Sequence, residues 1–596
     1  MVEVEKLMSS ASGRVLVMGC DNRSFLAVIR SLGRDGLKVH VAGAPLDASA
    51  LQSRFIVSVH HLPDYGDDNK QWLSAFTSLL EQYKFDLVIP CNDQSIIPLQ
   101  SCRSFLKRFE DQLYLLDQNC YAVTNDKQKT WELARKLGIP VPRQMTVSTI
   151  EELQSAIEQF GFPLALKPRS SFSESSLDHK QLVELVTCAN ELERLKLSMQ
   201  DRRRRLHLVQ EFCPGIGVGV EVLCRDGEIL TAFQHERVHE PSGGGGSTYR
   251  KSVRLDPELI FATSKLMAAL RYTGVCMVEF RYDRGSRKWV LLEMNGRFWG
   301  SLPLAIAAGV DFPLYLYEAL CLGRSAFPQH YKVNIFCRNS SADLAWLARS
   351  LRTHFFSTIG KVLLESRHTL IFRERNDTFV LDDLAPGCRE WRLKLTRVTL
   401  KVLARLPGSS QWLRWRIKRK KLGCRTVLFV CKGNVCRSPF AAGLFAQISR
   451  RKVRVISAGF YRRGRSSPLE AIEAASDWGV QLREHKSSLV TDADVRQADL
   501  IMVFDLHQAA VLRTLFPNVR GKMVLLGAID GGPVEIPDPF GKSVEQFRSA
   551  YRRITIALER MTDILALEPE PDHGITSEMS KVKESEHRRR KTATVT

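Results

Sequence analysis

Apolar runs and amphipathic stretches alternate along this chain in the order expected of α/β domains. Val15-Leu-Val-Met18 is a short apolar run, followed by a Gly-Cys-Asp turn, a stretch of helical period and a second run at Val39-His-Val-Ala42. Short apolar runs bounded by turn residues read as strands, so residues 14–43 predict a βαβ opening. Phe85-Asp-Leu-Val-Ile-Pro90 predicts a further strand ending at polar Asn92-Asp93. A helix is predicted to start at Asn125-Asp-Lys127 and to stop at Gly138-Ile-Pro-Val-Pro142. Phe162-Pro-Leu-Ala-Leu-Lys-Pro168 reads as a strand with one inward lysine, and Leu208-Val-Gln-Glu-Phe-Cys-Pro-Gly215 as a strand leaving a polar hinge. Val278-Glu-Phe-Arg281 and Val290-Leu-Leu-Glu-Met-Asn-Gly-Arg297 predict a hairpin with a carboxylate on each strand. Far downstream, Thr426-Val-Leu-Phe-Val-Cys431 is a β-like run that feeds a glycine-containing loop, and Ser438-Pro439 opens a helical pattern.

Length and charge refine this picture. A chain of 596 residues with 44% hydrophobic content holds several domains with packed cores. Its formal charge is +21, but no zinc finger, RNA-binding sheet signature or helix-turn-helix pattern accompanies it, so no specific nucleic-acid partner is expected. Much of the excess is local: between Arg389 and Arg425 the sole acidic residue is Glu390. This helical, basic segment reads as a connector. Trp412-Leu-Arg-Trp-Arg-Ile-Lys-Arg-Lys-Lys421 can lie on an anionic membrane or pack its tryptophans on a neighbouring domain. The 14 cysteines show neither a secretory pairing framework nor a zinc-ligand quartet. With no signal-like apolar core at the N-terminus and no run of membrane-spanning length, a cytoplasmic setting is expected. Beyond about residue 568, Pro/Glu/Lys/Arg-rich sequence predicts a disordered tail.

The loop after Cys431 carries the most specific chemistry. Lys432, Gly433, Asn434, Val435, Cys436 and Ser438 surround a cysteine and place Arg437 at the start of a helix. Amides of a tight loop backed by a helix N-terminus favour an anion and a thiolate. Arg437 can grip two phosphate oxygens through its planar fork. Gly433 lets the backbone turn closely, Asn434 can pin the loop, and Ser438 can donate its hydroxyl to the sulfur. A thiolate nucleophile also needs an acid for its leaving group. Asp538, in Ile536-Pro-Asp-Pro-Phe540, sits on a proline-flanked loop suited to that task.

With Ser457-Ala-Gly-Phe460, His485-Lys-Ser487 and Ala498-Asp-Leu-Ile-Met-Val-Phe-Asp505, residues 425–567 resemble a low-molecular-weight protein tyrosine phosphatase. The resemblance implies a parallel-sheet domain in which Cys431 is the nucleophile, Arg437 binds the phosphoryl group and Asp538 is the general acid. It also implies a phosphotyrosine protein or a small phosphomonoester as substrate. Cys436 matches a second loop cysteine of part of that family, and both a protective disulfide with Cys431 and a packing role stand open. Arsenate reductases of the same fold use cysteines downstream of the loop, and none follows Cys436 here.

In the front half, Lys127 and Lys167 can neutralise nucleotide phosphates. Glu279, Glu293 and Asn295 offer hard oxygen ligands for Mg²⁺ (or Mn²⁺) bridging those phosphates. Arg297 shares their strand face and could hold a transferred phosphoryl group or a carboxylate. In sequence order, this set resembles the ATP-grasp superfamily over residues 10–330, in its carboxylate–amine ligase, carbamoyl-phosphate-synthase-like branch. The resemblance implies a Rossmann-like pre-ATP-grasp domain (1–120) and α+β lobes clasping Mg·ATP (121–330). Gln210 and Glu211 would lie on the adenine side, and ATP would activate a carboxylate as an acyl phosphate for attack by an amine or another nucleophile. The loop after Lys167, Pro168-Arg-Ser-Ser-Phe-Ser-Glu-Ser-Ser176, lacks the usual glycines. Gly243 to Gly246 form either a mobile substrate loop or a plain flexible hairpin, with Arg237, His239 and Arg250 as candidate contacts to an acidic substrate.

These readings predict an α/β multidomain chain: 1–120 pre-ATP-grasp, 121–330 ATP-grasp, 331–424 connector, 425–567 phosphatase and 568–596 tail. The leading function is a fused ligase and phosphatase. The alternative is a phosphatase regulated by a non-catalytic ATP-binding domain.

Overall fold

The computed structural model describes residues 13–565 apart from 21–22, 67–68, 173–176, 178–180, 182, 192–206, 241–245, 407–410, 412–414, 416–417, 419–423 and 450–452. Most of the glycine run, the end of the serine-rich loop, most of the Trp412–Lys421 segment and the expected tail therefore lie outside the described residues. The chain divides into two compact units, Met1–Arg392 and Leu393–Thr596.

The first unit opens with a parallel sheet of β1 (Arg14–Met18), β2 (Lys38–Ala42), β3 (Ile56–His60) and β4 (Leu87–Pro90), in the order β3-β2-β1-β4. Helix α1 (Arg23–Arg34) connects β1 to β2 and buries Phe25, Val28, Ile29 and Leu32, as a βαβ unit requires. After β4, Asn92 caps helix α2 (Asp93–Ser101) through a reciprocal box with Ser95, which places Asp93 at the helix start. Helix α3 (Lys127–Lys136) is capped by Asp126, whose side chain accepts from the Gln128 amide.

Four strands, β5 (Gln144–Val147), β6 (Leu164–Pro168), β7 (Glu184–Val186) and β8 (His207–Glu211), form an antiparallel sheet in the order β5-β8-β6-β7. A seven-stranded sheet follows, ordered β13-β12-β9-β10-β11-β14-β15. It contains β9 (Ile216–Arg225), β10 (Glu228–His239), β11 (Tyr249–Val253), β12 (Gly274–Tyr282), β13 (Trp289–Asn295), β14 (Phe336–Arg338) and β15 (Glu374–Asn376). The predicted hairpin is β12–β13, and its register sets Glu279 opposite Glu293.

The segment read as a connector is partly sheet. Strands β14 and β15 extend the large sheet, with helices α4 (Ser340–Thr353) and α5 (Phe355–Leu370) between them, and the first unit extends to Arg392. Three-residue strands give no readable period, and ion pairs made by Arg338 to Asp343, Glu365 and Glu374 hold this region in place.

The second unit is built on a parallel sheet, β17-β16-β18-β19, from β16 (Thr426–Cys431), β17 (Arg454–Gly459), β18 (Leu500–Val503) and β19 (Met523–Leu525). Every residue of β16 is buried, consistent with a parallel strand covered on both faces. Helices α6 (Arg437–Ile448), α7 (Leu506–Leu515) and α8 (Val544–Leu565) flank it. Phe440 on α6 stacks on Tyr551 of α8 at 3.8 Å, fixing the helix that begins at the loop. Among the described residues no single helix is long and apolar enough to cross a membrane.

Candidate functional site

In the second unit, β16 ends at Cys431 and α6 begins at Arg437. The residues between them form a loop joining a strand C-terminus to a helix N-terminus, where backbone amides favour an anion. Asn434 adopts a left-handed φ of 52°, which asparagine tolerates better than most residues. Its buried amide pins the loop: Nδ2 donates to Ser438 Oγ at 2.9 Å and to Ser457 Oγ at 3.1 Å, and Oδ1 accepts from the Ser488 amide at 2.8 Å. His485 Nε2 donates to the Asn434 carbonyl at 2.7 Å, which assigns the proton to Nε2 because a carbonyl can only accept. Burial lowers the His485 pKa, and that hydrogen bond offsets it only in part. Gly459 permits this packing, since a Cβ there would lie 2.9 Å from the Asn434 nitrogen and the Lys432 carbonyl.

Cys431 Sγ accepts from the Asn434 amide at 3.2 Å and from the Ser438 hydroxyl at 3.1 Å. Both donors favour negative charge on sulfur. Arg437, 1% exposed, donates through Nη1 to Asp505 Oδ2 at 3.1 Å and to the Ile536 carbonyl at 3.0 Å. Its Nη2 lies 2.7 Å from Asp538 Oδ2. Burial acts to lower the Arg437 pKa, but Asp538, Cys431 and Asp505 outweigh it and raise it. The buried Nε has no partner among the described residues, leaving a donor for an added anion. Cys436 is also buried, and burial first, then Asp538 and Cys431, push its thiol pKa well up. Both loop cysteines are free thiols, and this environment gives Cys436 little thiolate character.

In the first unit, a cavity of about 680 Å³ is lined by Lys167, Gln210, Glu211, Glu279, Glu293, Asn295 and Arg297. Lys127 joins Glu293, Asn295 and Arg297 around an adjoining recess, with its Nζ 3.7 Å from Glu293 Oε2. The topology thus gathers all eight front-half residues, drawn from α3, β6, β8, β12, β13 and the turn after β13. Burial raises the Glu293 pKa, but Lys127 and Lys167 overcome it and bring it down to about 2. Burial lowers the Lys167 pKa, countered in part by Glu293 and reinforced by Lys127. Asn295 Nδ2 donates to Glu293 Oε1 at 3.3 Å.

Several of these groups carry partners of their own. Glu279 pairs with Arg237 Nη2 at 2.7 Å, Arg297 Nε donates to Asp93 Oδ1 at 2.7 Å, and Glu211 binds Arg143 at 2.7 Å. Gln210 Nε2 donates to Gln144 Oε1 at 3.3 Å. Among the described residues no three His, Cys, Asp or Glu side chains converge as a metal cluster. Glu293 and the Asn295 amide oxygen still suit a hard divalent cation, and Glu279 could join them only on leaving Arg237.

The family comparisons bear on both units. Residues 426–570 match the family described as low molecular weight phosphotyrosine protein phosphatase. Over 131 residues the chain is 35% identical to the probable low molecular weight protein-tyrosine-phosphatase EpsP of Ralstonia nicotianae, covering 22% of this chain and 88% of that protein. Through this region the chain belongs to the low molecular weight phosphotyrosine protein phosphatases. The phosphatase domain is also 35% identical over 126 residues to Wzb of Salmonella typhimurium, covering 21% of this chain and 83% of that protein. It is 32% identical over 141 residues to the protein-arginine-phosphatase of Bacillus subtilis, covering 23% and 93%.

Residues 203–337 match the family described as ATP-grasp in the biosynthetic pathway with Ter operon. Similar solved structures include the L-amino acid ligase from Bacillus licheniformis, at TM-score 0.41 and 16% identity, covering 52% of this chain and 75% of that one. Another is the ADP complex of N5-carboxyaminoimidazole synthetase from Staphylococcus aureus, at TM-score 0.44 and 16% identity, covering 57% and 86%.

Of the three residues expected near an acidic substrate, Arg237 lines the cavity and two do not. His239 is buried between Asp343 and Glu365, each at 2.9 Å, and stacks on Trp346. Arg250 is fully buried against Asp377. Both side chains close the structure of the ATP-grasp unit rather than face substrate. Sequence reasoning missed two cavity groups. Asp93 holds Arg297 from the start of α2. His235 lines the cavity and binds Glu221 at 2.6 Å, in space left by Gly219, where a Cβ would sit 2.4 Å from the imidazole. Alternate glycines at 215, 217 and 219 were the available signal. In the phosphatase domain, Asp505 was visible within its strand motif, but its role as partner to Arg437 was not.

Proposed function

We propose that the chain carries two chemistries: hydrolysis of phosphomonoesters, phosphotyrosine among them, and ATP-dependent joining of a carboxylate to an amine or another nucleophile. The phosphatase mechanism rests on the Cys431 sulfur held by two donors beside the Arg437 guanidinium. A phosphate dianion in the loop would draw the Arg437 fork from Asp538 onto its own oxygens. Cys431 then attacks phosphorus as the P–O bond breaks, and Asp538 in its protonated form gives its proton to the leaving oxygen. Water attacks the phosphocysteine, Asp538 takes its proton, and Ser438 supports the departing thiolate. The rings of Tyr461 and Phe540, 5.3 and 5.2 Å from the Arg465 guanidinium, favour an aromatic leaving group beside this loop. The fourteen cysteines, spaced without a secretory pairing framework, support a reducing, cytoplasmic setting.

For the ligase, the supporting observation is Glu293 held ionised between Lys127 and Lys167 in the cavity. Lys127 and Lys167 would bind phosphate oxygens, Gln210 and Glu211 would flank the base, and Arg297 would orient the carboxylate or the transferred phosphoryl group. Glu293 and Asn295, joined by a displaced Glu279, would hold Mg²⁺ or Mn²⁺, which supplies charge neutralisation for the phosphates. The acyl phosphate formed from the carboxylate is then open to an incoming amine. A second reading, a nucleotide-binding domain that regulates the phosphatase without turnover, is favoured by the Arg237–Glu279 pair and the glycine-free loop after Lys167.

Mg·ATP-dependent ADP release across panels of carboxylates and amines separates the two. Release that requires one acid–amine pair and disappears in Glu293→Gln establishes the ligase. ATP binding with no release for any pair, beside an active phosphatase, favours regulation.

A further inference from the structure

We infer that helix α5 and the turn after it form a docking face for an anionic lipid surface, a role separate from both proposed catalytic sites. Phe356, Leu363 and Leu370 are 87%, 67% and 76% exposed, and their seven-residue spacing sets them in one line along the helix. Ile371 and Phe372, 55% and 81% exposed, continue that surface into the turn. The opposite side of α5 is closed by buried Thr358 and Glu365. Isolated exposed apolar side chains are ordinary, but a continuous patch of large ones marks an interaction surface.

The backbone points the same way. Phe372 holds a left-handed φ of 56°, an outlying conformation for a bulky residue, and it turns this ring toward solvent rather than into the core.

The surrounding charge identifies the partner. Between 340 and 376 the acidic residues are Asp343, Glu365 and Glu374, and all three are ion-paired inward with Arg338, two of them also with His239. Exposed Arg367, Arg373 and Arg375 make the polar border of the patch cationic, while Lys361 lies over the Trp346 ring at 5.1 Å. An apolar stripe bordered by cations matches the interfacial plane of a bilayer rich in anionic lipid. A second copy docked face to face would bring the same cations together, which opposes self-association.

The test is flotation of the full chain with phosphatidylcholine vesicles, with and without phosphatidylglycerol. The chain is expected to float with the anionic vesicles at least roughly tenfold more than with the neutral ones, given the three border cations. The double variant Phe356→Glu/Phe372→Glu should lose that binding and keep the wild-type thermal unfolding transition of the first unit, which reports that the region around α5 remains folded. The proposal fails if the wild type does not float. It also fails if the double variant floats equally, which would place binding elsewhere on the chain. A wild-type dimer that the double variant converts to monomer would instead identify a second copy as the occupant, and would overturn it too.

Discussion

The two candidate sites are built in opposite ways. The phosphatase site is nearly contiguous: Cys431 through Ser438 supply the nucleophile, the amide-lined loop and the arginine, and one further loop brings Asp538. The ATP-grasp cavity is dispersed, with charged groups from residue 93 to residue 297 meeting through sheet register and side-chain ion pairs. A contiguous loop holds its groups through local backbone geometry. A dispersed cavity must satisfy each buried charge with a partner, so the groups that would meet a ligand are already engaged with one another.

This contrast can be broken most sharply at Cys431. Cys431→Ser should lower phosphomonoester turnover roughly a thousandfold or more, because no other group of the loop replaces the thiolate. The ATP binding of the first unit should be unchanged, and loss of both together would show that the sites are not independent. Asp538→Asn is expected to lower kcat about a hundred- to ten-thousand-fold for a basic leaving group. The defect should shrink for an acidic phenol, which needs no proton to depart. An equal loss for both leaving groups would move the acid role away from Asp538.

Smaller effects probe how each region is held. Asn434→Ala removes the side-chain bonds to Ser438, Ser457 and Ser488 and leaves alanine at a positive φ. A stability loss of about 1–3 kcal/mol is expected for the phosphatase domain, measured by denaturant unfolding. In the first unit the comparable sensitivity is to protons. His40, 4% exposed and stacked on His60, is pushed down to about 4 by burial first, then by His60 and Arg14. The unfolded chain then binds more protons than the folded one between pH 4 and the ordinary histidine value. That unit should therefore keep full stability above about pH 6.5 and lose it as the pH falls toward 4. Thermal unfolding of wild type and His40→Gln over that range checks the sign, and the variant should show the shallower slope.

Much of this was readable from sequence, for reasons specific to each element. The βαβ opening, the β12–β13 hairpin and the strand–loop–helix at Cys431 rest on local period and turn residues, which act over a few positions. The residues of the phosphate loop were legible because loop geometry needs them adjacent. Beyond that reach local pattern is silent. Strands β14 and β15 are three residues each and exist through pairing and the Arg338 ion pairs. His239 and Arg250 looked like substrate contacts because sequence gives side-chain chemistry without its neighbours.

By itself, then, the chain's order of residues determined which groups could do chemistry, since nucleophile, carboxylates and lysines are covalent facts. Only the tertiary structure decided which of them are available. It gave Glu279 to Arg237, Arg297 to Asp93 and His239 to two carboxylates, and it seated His235 in a space opened by a glycine one strand away. The reason is physical: a buried charge takes the nearest partner the fold offers, and that distance is set by sheet register rather than by separation along the chain.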